Sequence, residues 1–202
     1  VSPGMLISKK EDIKKCKLEY PLFIKPVSEG TGKGINEKSM IKSPAELKEM
    51  AEWILVRFDQ PALVEEYLPG REFTVGVIGT GDEAVAIGGM EIECKDNLPY
   101  SVEFKENYQE FCKYIPMAKE YNEECKSVAL NVWKALRAVD GGRVDVKADR
   151  NGRMCFMEVN PLAGLHPIHS DLPILSRMIG IEYQTLIEMI MKSTIKRHHL
   201  SV

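Results

Sequence analysis

The sequence predicts an α+β fold of two subdomains with mainly antiparallel sheets, and three observations lead to it. Strand-like runs mix with helices without the strict β-α-β order of a parallel sheet. An Asn-Gly pair at residues 151–152, between two apolar runs, is a strong signal for a β-hairpin. A Pro-Gly turn at residues 69–70 ends another apolar run. We therefore expect a small subdomain over residues 1–69 and a large one over residues 70–202.

The first subdomain shows clear element signals. Residues 21–26 form a short apolar run that ends in proline, which predicts a strand. Glycine-rich residues 28–35 follow and predict a loop. Ser43 as N-cap, Pro44 at the first helical position and Glu46 three residues after the cap predict a helix that packs one apolar face on the sheet.

The second subdomain begins with alternating apolar residues, which predict a strand over residues 71–79. Further elements are expected from the same two periodicities. They are strands over residues 83–88 and 90–94, a polar loop over 95–114, a helix over 118–139, strands over 142–148 and 154–160, and a helix over 183–191. The expected core face of the first helix consists of Cys125, Val128, Ala129, Val132, Trp133 and Leu136.

Composition excludes several classes of protein. The chain has 202 residues, of which 44% are hydrophobic and 28% charged, and its formal net charge is −3. These values are typical of an ordinary globular protein. The absence of a basic cluster argues against a nucleic-acid partner, and no apolar run reaches the roughly 18 residues of a membrane span. The chain also lacks a signal-peptide pattern, so we expect a cytoplasmic protein.

The five cysteines are widely scattered and contain no Cys-x-x-Cys pair. We expect reduced, mostly buried thiols and neither a disulfide framework nor a zinc site. No histidine lies at a recognisable spacing from any of them, which argues against a cysteine nucleophile.

The predicted hairpin brings two carboxylates together. With the turn centred on residues 151–152, Asp145 faces Glu158 and Arg143 faces Asn160, and alternation keeps these four side chains on one face. Facing carboxylates repel, so such a pair usually holds a cation. Oxygen ligands favour Mg²⁺, with Asn160 as the third ligand and Arg143 as a fixed positive charge beside it. The alternative is a solvated face on which Arg143 pairs with one of the acids.

The glycine-rich loop is a weak signal by itself. Lys33 is followed by Gly34 instead of Ser or Thr, so the segment fails the P-loop pattern, and it also fails Gly-x-Gly-x-x-Gly. One interpretation is a flexible hairpin tip. The other is a run of backbone N–H groups, with Thr31 and Lys33, that closes over phosphate oxygens.

Taken together, the motifs resemble the ATP-grasp fold, and specifically its D-alanine:D-alanine ligase branch. The resemblance covers essentially the whole chain and rests on four segments in family order. They are residues 23–26 with 29–34, residues 64–74, residues 142–145, and residues 157–164 continuing to 169–170. It implies two α+β subdomains that clasp ATP between them. It also implies a family N-terminal domain that this chain lacks, together with part of the first substrate's pocket.

The resemblance assigns roles residue by residue. The implied ATP-binding residues are Lys25, Glu29, Gly30, Thr31, Gly32, Lys33, Glu65, Tyr67, Leu68 and Glu72. The implied metal ligands are Asp145, Glu158 and Asn160, for Mg²⁺ or Mn²⁺ in its place. Arg143 and the backbone N–H of Gly164 are implied to stabilise the tetrahedral oxyanion, and Ser170 to hold the carboxylate of the second amino acid. His166 and His169 are expected to be structural hydrogen-bonding residues, with a catalytic role as the alternative.

The implied activity is ATP- and Mg²⁺-dependent ligation of a carboxylate to an amine through an acyl phosphate, with D-alanine:D-alanine ligation in peptidoglycan biosynthesis first among the reactions. Small amino acids are the implied substrates, and a homodimer is one implied assembly. Alternatives are an ATP-grasp ligase of specialised metabolism with other amino-acid or amine substrates, and a nucleotide-binding module without ligase turnover.

Two departures from the family pattern keep the substrate open. The family carries a Lys-Tyr pair where this chain has Asn107 and Tyr108, and Lys105 lies two residues away. The residue after Ser170 is usually apolar in the ligases but is Asp171 here. A carboxylate in the pocket of the second substrate favours an amine or another cationic group.

Overall fold

Two antiparallel sheets organise the chain, as the fold class predicts. The computed structural model describes residues 1–30, 32–94 and 112–200. One compact unit comprises Val1–Leu68 and takes in Cys94 and Cys112, and the other comprises Pro69–Glu93 and the described residues from Lys113 onward. The two subdomains bounded at residues 69 and 70 stay a prediction.

The first unit is built on a four-stranded sheet in the order β1-β4-β2-β3. Its elements are β1 (Gly4–Ile7), β2 (Leu22–Pro26), β3 (Met40–Ile41), helix α1 (Pro44–Phe58) and β4 (Ala62–Glu66), with short 3-10 turns at Lys10–Lys15 and Glu37–Ser39. Alternation along β2 buries Leu22, Ile24 and Pro26 and leaves Phe23 and Lys25 on the other face.

Helix α1 forms as its sequence predicts. The Ser43 hydroxyl accepts the backbone N–H of Glu46 at 3.3 Å, and Pro44 takes the first helical position, where its missing N–H costs nothing. Leu47, Met50, Ala51 and Ile54 are buried in the core of this unit, together with apolar residues of β2 and β4.

The second unit is built on a five-stranded sheet in the order β7-β6-β5-β8-β9. Its elements are β5 (Glu72–Ile78), a 3-10 turn (Gly81–Glu83), β6 (Val85–Cys94), β7 (Cys112–Pro116), helix α2 (Lys119–Ala135), β8 (Gly141–Ala148), β9 (Met154–Asn160), α3 (Asp171–Met178) and α4 (Tyr183–Arg197).

Helices cover both faces of this second sheet. On one face, Phe73, Val75 and Val77 of β5 share a buried cluster with Trp133 of α2. On the other face, Ile78 packs with Leu172 of α3 and Leu186 of α4. Residues of β5 that alternate with the first three, including Thr74 and Gly76, therefore belong to the face of α3 and α4.

Several predicted elements differ from those observed. Helix α2 ends at Ala135, so Leu136 is 55% exposed and does not belong to the core face. The two strand runs predicted over residues 83–94 are the single strand β6. Helix α3 was not predicted, and α4 continues six residues beyond the predicted end at Met191. Within the described ranges no helix is both long and apolar enough to cross a membrane.

The expectation of reduced thiols is wrong for one pair. Cys94 and Cys112 form a disulfide with an S–S distance of 2.07 Å. They lie at the end of β6 and the start of β7, which are neighbours in the sheet, and only that non-local pairing brings them together. Cys16, Cys125 and Cys155 are free, and burial raises the pKa of Cys125 to about 12, which disfavours a nucleophilic thiolate.

Candidate active site

A row of polar side chains crosses the second sheet on the face of α3 and α4. In the β5–β8 register Glu72 faces Lys147 and Thr74 faces Asp145. Glu72 and Lys147 form an ion pair at 3.0 Å. The Thr74 hydroxyl, which is fully buried, donates to Asp145 Oδ1 at 2.5 Å. This pairing of distant segments places Asp145 at the centre of the row.

The hairpin of β8 and β9 confirms the predicted register at the site. Asp145 faces Glu158 and Arg143 faces Asn160. Nearer the turn the predicted register is wrong by one residue, because a bulge between Asp145 and Val146 leaves Met157 without a facing partner. As a result Phe156, and not Met157, packs against the core.

The turn itself explains this shift. The carbonyl of Asp149 accepts the N–H of Gly152, and the Asp149 side chain accepts the N–H groups of Asn151 and Arg153. Gly152 has a φ of 81°. These are the features of a three-residue loop that ends in a left-handed residue, in place of the two-residue turn expected from Asn-Gly.

The predicted metal ligands form a connected cluster. Asn160 Nδ2 donates to Asp145 Oδ2 and to Glu158 Oε1, each at 3.1 Å. Within the described ranges no group of three His, Cys, Asp or Glu side chains suits a metal ion, and the third predicted ligand, Asn160, is an amide. Two carboxylates and one amide oxygen are a donor set that fits a hard cation such as Mg²⁺.

Electrostatics favour a cation at this point. Burial raises the pKa of Asp145 above its ordinary value, and the charges of Glu158 and Glu72 raise it further. The charge of Arg143 and the hydrogen bond from Thr74 act in the opposite direction. A bound divalent ion would reverse the balance, because it stabilises the ionised carboxylate.

Arg143 lies between two carboxylates. Its Nη2 atom is 3.4 Å from Asp145 Oδ2, and its Nη1 atom contacts Asp171 Oδ2. The guanidinium group therefore lies beside the predicted metal ligands, where the resemblance places it. Its second partner is Asp171, which we had expected in a substrate pocket.

The loop after β9 is closed by Ser170. The Ser170 hydroxyl accepts the N–H of His166 at 3.0 Å, and a Cβ atom at Gly164 would lie 2.6 Å from that hydroxyl oxygen. Gly164 therefore has to be glycine for the loop to close as it does. His166 Nδ1 accepts the N–H groups of Ile168 and His169, which confirms the structural role expected for His166.

In the first unit, the predicted phosphate-binding lysine is paired with a predicted adenine-binding residue. Lys25 of β2 and Glu65 of β4 form an ion pair at 3.1 Å, with both side chains largely buried. They lie diagonally across the β2–β4 ladder, where Phe23 faces Glu65 and Lys25 faces Leu63.

The described residues of the glycine-rich loop make several polar contacts. Glu29 pairs with Lys33 at 3.0 Å and accepts a hydrogen bond from Gln60 at 3.0 Å. The N–H of Lys33 donates to the carbonyl of Gly30, and Gly32 has a φ of 76°. Thr31 lies outside the described residues, as do Lys105, Asn107 and Tyr108.

The linker residues Tyr67 and Leu68 follow β4 and are half-buried. The N–H of Tyr67 donates to the carbonyl of Pro21 at 3.0 Å, which fixes the linker backbone to the start of β2. Glu72, at the start of β5, is the remaining predicted ATP-binding residue and is held by Lys147.

Three polar residues of the second unit that contact predicted site residues or Asp171 were not identified from the sequence. Thr74 contacts Asp145, Lys147 contacts Glu72, and Tyr114 of β7 donates to Asp171 Oδ1 at 2.7 Å. Each depends on strands or helices far apart in the chain. The alternation in β5 would have placed Thr74 on the same face as Glu72, but not opposite Asp145.

Solved structures show the fold class. The D-alanine-D-alanine ligase from Coxiella burnetii matches 98% of this chain and 53% of its own chain with a TM-score of 0.75 and 19% identity. VanG D-Ala:D-Ser ligase from Enterococcus faecalis matches 96% of this chain and 56% of its own, with a TM-score of 0.73 and 24% identity. A Bacillus anthracis D-alanine--D-alanine ligase complexed with ATP matches 98% and 61%, with a TM-score of 0.69 and 22% identity. The fold is ATP-grasp.

Sequence comparison gives the family. A model described as D-ala D-ala ligase C-terminus matches residues 6–192, so the chain belongs to that family. D-alanine--D-alanine ligases of Bacillus licheniformis and Geobacillus thermodenitrificans are each 31% identical to it, over 184 and 182 residues. These matches cover 90% of this chain but 49% and 48% of the relatives. The chain thus spans about half the length of the curated relatives it matches.

Proposed function

We propose that the protein is an ATP- and Mg²⁺-dependent ligase that joins the carboxylate of one amino acid to the amine of another, with D-alanine:D-alanine ligation as the reaction. The observation that carries this proposal is the cluster of Asp145, Glu158, Asn160 and Arg143. A purely structural sheet has no need to bury an acid beside a second acid. Family membership and the names of the relatives support the same reaction class.

Asp145, Glu158 and Asn160 would hold the metal ion. When bound, Mg²⁺ neutralises phosphate charge and polarises the phosphoryl group. The protein's own contribution is to hold the two carboxylates on one face of the sheet, where Thr74 donates a hydrogen bond to Asp145. Glu158 is exposed on the same face and free to approach a ligand.

Nucleotide-binding residues are proposed in each unit, and each unit is taken by itself. Lys25 would exchange Glu65 for the phosphate oxygens, and the N–H groups of the glycine-rich loop would contact the same phosphates. Tyr67 and Leu68 would present backbone groups to the adenine, and Glu72 would accept hydrogen bonds from the ribose hydroxyls. The ion pairs that Lys25, Lys33 and Glu72 make now would then rearrange on binding.

The proposed reaction has two steps that balance without a protein nucleophile. The carboxylate of the first amino acid attacks the γ-phosphorus, which releases ADP and forms an acyl phosphate. The amine of the second amino acid then attacks the acyl carbon, phosphate leaves, and the amine loses a proton. Arg143 and the N–H of Gly164 would stabilise the negative charge on the carbonyl oxygen. Ser170 would hold the second carboxylate.

The test is ADP release by the full-length protein with Mg·ATP and D- or L-amino acids, singly and in pairs. We expect turnover with D-alanine, and a dipeptide product by mass spectrometry. Glu158→Gln keeps the size of the side chain and removes its charge, and we expect it to lower the rate at least roughly a hundredfold. Glu188→Gln, on the exposed side of α4, is the matched control and should leave the rate unchanged.

Three results would contradict the proposal. Turnover only with another pair of substrates would leave a ligase but remove D-alanine as its substrate. Tight ATP binding without ADP release for any pair would favour a nucleotide-binding module. An unchanged rate in Glu158→Gln would show that the described cluster is not the reaction site.

A further inference from the structure

Asp171 is the first residue of α3, and both oxygens of its carboxylate have partners. Tyr114 of β7 donates its hydroxyl to Oδ1 at 2.7 Å. Arg143 of β8 contacts Oδ2 through Nη1. The side chains of Asp171 and Arg143 are each 19% exposed. The carboxylate is therefore an internal partner of the arginine and not an open anion at a pocket wall.

The two carboxylate contacts of Arg143 come from different elements. The contact to Asp145 is 3.4 Å long and reaches a carboxylate that Thr74 and Asn160 already occupy. Asp171 is the second carboxylate partner and comes from a different element. A planar guanidinium group that is held at both Nη atoms by separate carboxylates has its plane fixed, while its remaining N–H groups stay available.

The position of Asp171 in the fold favours its charge. The start of a helix stabilises a carboxylate through its unpaired N–H groups and the helix dipole. Helix α3 is anchored by Leu172 and Leu175, both buried, so the first turn cannot move freely. Tyr114 ties the same carboxylate to β7, which is the strand at one edge of the sheet. Strand β8, which carries Arg143, lies three places further along the sheet order.

These contacts bear on the expectation that Asp171 selects a cationic second substrate. That expectation needs a carboxylate whose charge is open to the substrate. Here a guanidinium group neutralises it, and a cationic substrate would have to displace Arg143. The structure therefore gives no reason to expect that Asp171 selects a cationic second substrate.

We propose that Asp171 is a positioning residue for Arg143: with Tyr114 it fixes the guanidinium group beside the Asp145 cluster. The proposal rests on the proposed function for its effect on catalysis, since Arg143 is assigned there to the developing oxyanion. The ion pair itself belongs to the free protein and is testable without turnover.

The direct test is NMR of ¹⁵N-labelled arginine side chains in the full-length protein, with the Arg143 signals assigned by their loss in Arg143→Lys. Held at both Nη atoms, Arg143 should give separate Nη1 and Nη2 signals, because rotation about the Nε–Cζ bond, which exchanges the two Nη atoms, is slow. Asp171→Asn keeps the size and an acceptor oxygen but removes the charge. We expect the two signals to merge in this variant, while Asp171→Glu keeps them separate.

The kinetic test distinguishes positioning from substrate binding. For Asp171→Asn we expect kcat to fall roughly tenfold to a hundredfold, the scale of a small misplacement of a reacting group. KM for each amino acid should stay within about twofold of the wild-type value. Tyr114→Phe should give a smaller loss of kcat in the same direction, and thermal denaturation checks that each variant is folded.

Separate Nη signals in a folded Asp171→Asn would overturn the proposal. So would an unchanged kcat with a raised KM for the amine substrate, because that pattern belongs to a substrate-binding carboxylate. If the wild-type protein releases no ADP with any substrate, the proposed function fails instead, and the NMR comparison alone decides whether Asp171 positions Arg143.

Discussion

At the scale of one residue, the hydroxyl of Thr74 affects the pKa of a buried acid. It has no exposed surface, and its hydroxyl donates to Asp145, whose pKa burial already raises. The hydrogen bond opposes that rise, so Thr74 helps to keep the carboxylate ionised and able to bind a cation.

We predict that Thr74→Val weakens both folding and metal binding. Valine matches threonine in shape but leaves Asp145 with one donor fewer, which costs about 1–3 kcal/mol for a buried polar group. Chemical denaturation at neutral pH measures the stability, and the Mg²⁺ dependence of the melting temperature measures binding. Thr74→Ser keeps the hydroxyl and is the control. Equal stability and equal Mg²⁺ response in the two variants would show that the hydroxyl has no such role.

Residue types and local spacing were enough to predict that Asp145, Glu158 and Asn160 lie together, but not which residues support them. Asp145, Glu158 and Asn160 lie within one hairpin, so alternation and the turn position were enough to bring them together. The partner of Asp145 on β5 is 71 positions away, and the partners of Asp171 lie on β7 and β8. No periodicity in a single sequence encodes such non-local pairings.

At the scale of the secondary-structure element, a helix was predicted correctly where the sequence carries both its start signals and its apolar stripe. Helix α1 has an N-cap, a proline and an apolar stripe, and it begins at Pro44 as predicted. Helix α3 was missed because it has eight residues, carries Pro173 in its first turn and shows no capping hydrogen bond from Ser170. Its formation depends on burying Leu172 and Leu175, which is a tertiary effect.

Asp140 is one of the residues that attach the last helix to the second sheet. Asp140, which precedes β8, accepts hydrogen bonds from Ser193 and Arg197 of α4. The hydrogen bond from Arg197 is the main reason that the pKa of Asp140 lies below its ordinary value of 3.8. A lowered pKa in the folded state means that this interaction stabilises the fold above the unfolded pKa and is lost as pH falls through the folded value.

We therefore predict that Asp140→Asn lowers the melting temperature by a few degrees at pH 7, and that the difference from wild type shrinks as the pH falls below about 3.8. Asparagine tolerates the positive φ of 64° at this position, so backbone strain does not confuse the result. Asp82→Asn removes a fully exposed charge and is the control, with no change expected. A difference that stays constant from pH 7 to pH 3 would rule out the charge as its cause.

The disulfide between Cys94 of β6 and Cys112 of β7 gives a second prediction at this scale. An alkylating reagent is added at lysis so that no thiol oxidises later. Of the five cysteines, three should be alkylated when the protein is denatured without reductant, and all five when it is denatured with reductant. Cys94→Ser should lower the free energy of unfolding by about 3 kcal/mol, the contribution expected for closing a loop of this size. Cys155→Ser is the control. Five free thiols before reduction would show that the pair is reduced in the protein as it is made.

At the scale of the whole molecule, the two units have separate cores. The cluster around Ile24 and Val64 belongs to the first unit, and those around Phe73 and Leu172 belong to the second. The proposed nucleotide ligands are divided in the same way, with Lys25 in the first unit and Glu158 in the second. The proposed role of each residue is therefore tested in its own unit.

We predict that Mg·ATP at a hundred times its Kd raises the free energy of unfolding by about 2.7 kcal/mol, because a ligand that binds only the folded state stabilises it by mass action. Lys25→Ala and Glu158→Gln should each reduce the rise in melting temperature at the same ligand concentration, and EDTA should reduce it in the wild type. Lys38→Ala breaks an exposed ion pair in the first unit and is the matched control for Lys25. If Mg·ATP stabilises Lys25→Ala as much as it stabilises the control, Lys25 contributes no phosphate ligand. The proposed nucleotide role of Lys25 then fails, while the proposed metal ligands of the second unit are tested separately by Glu158→Gln.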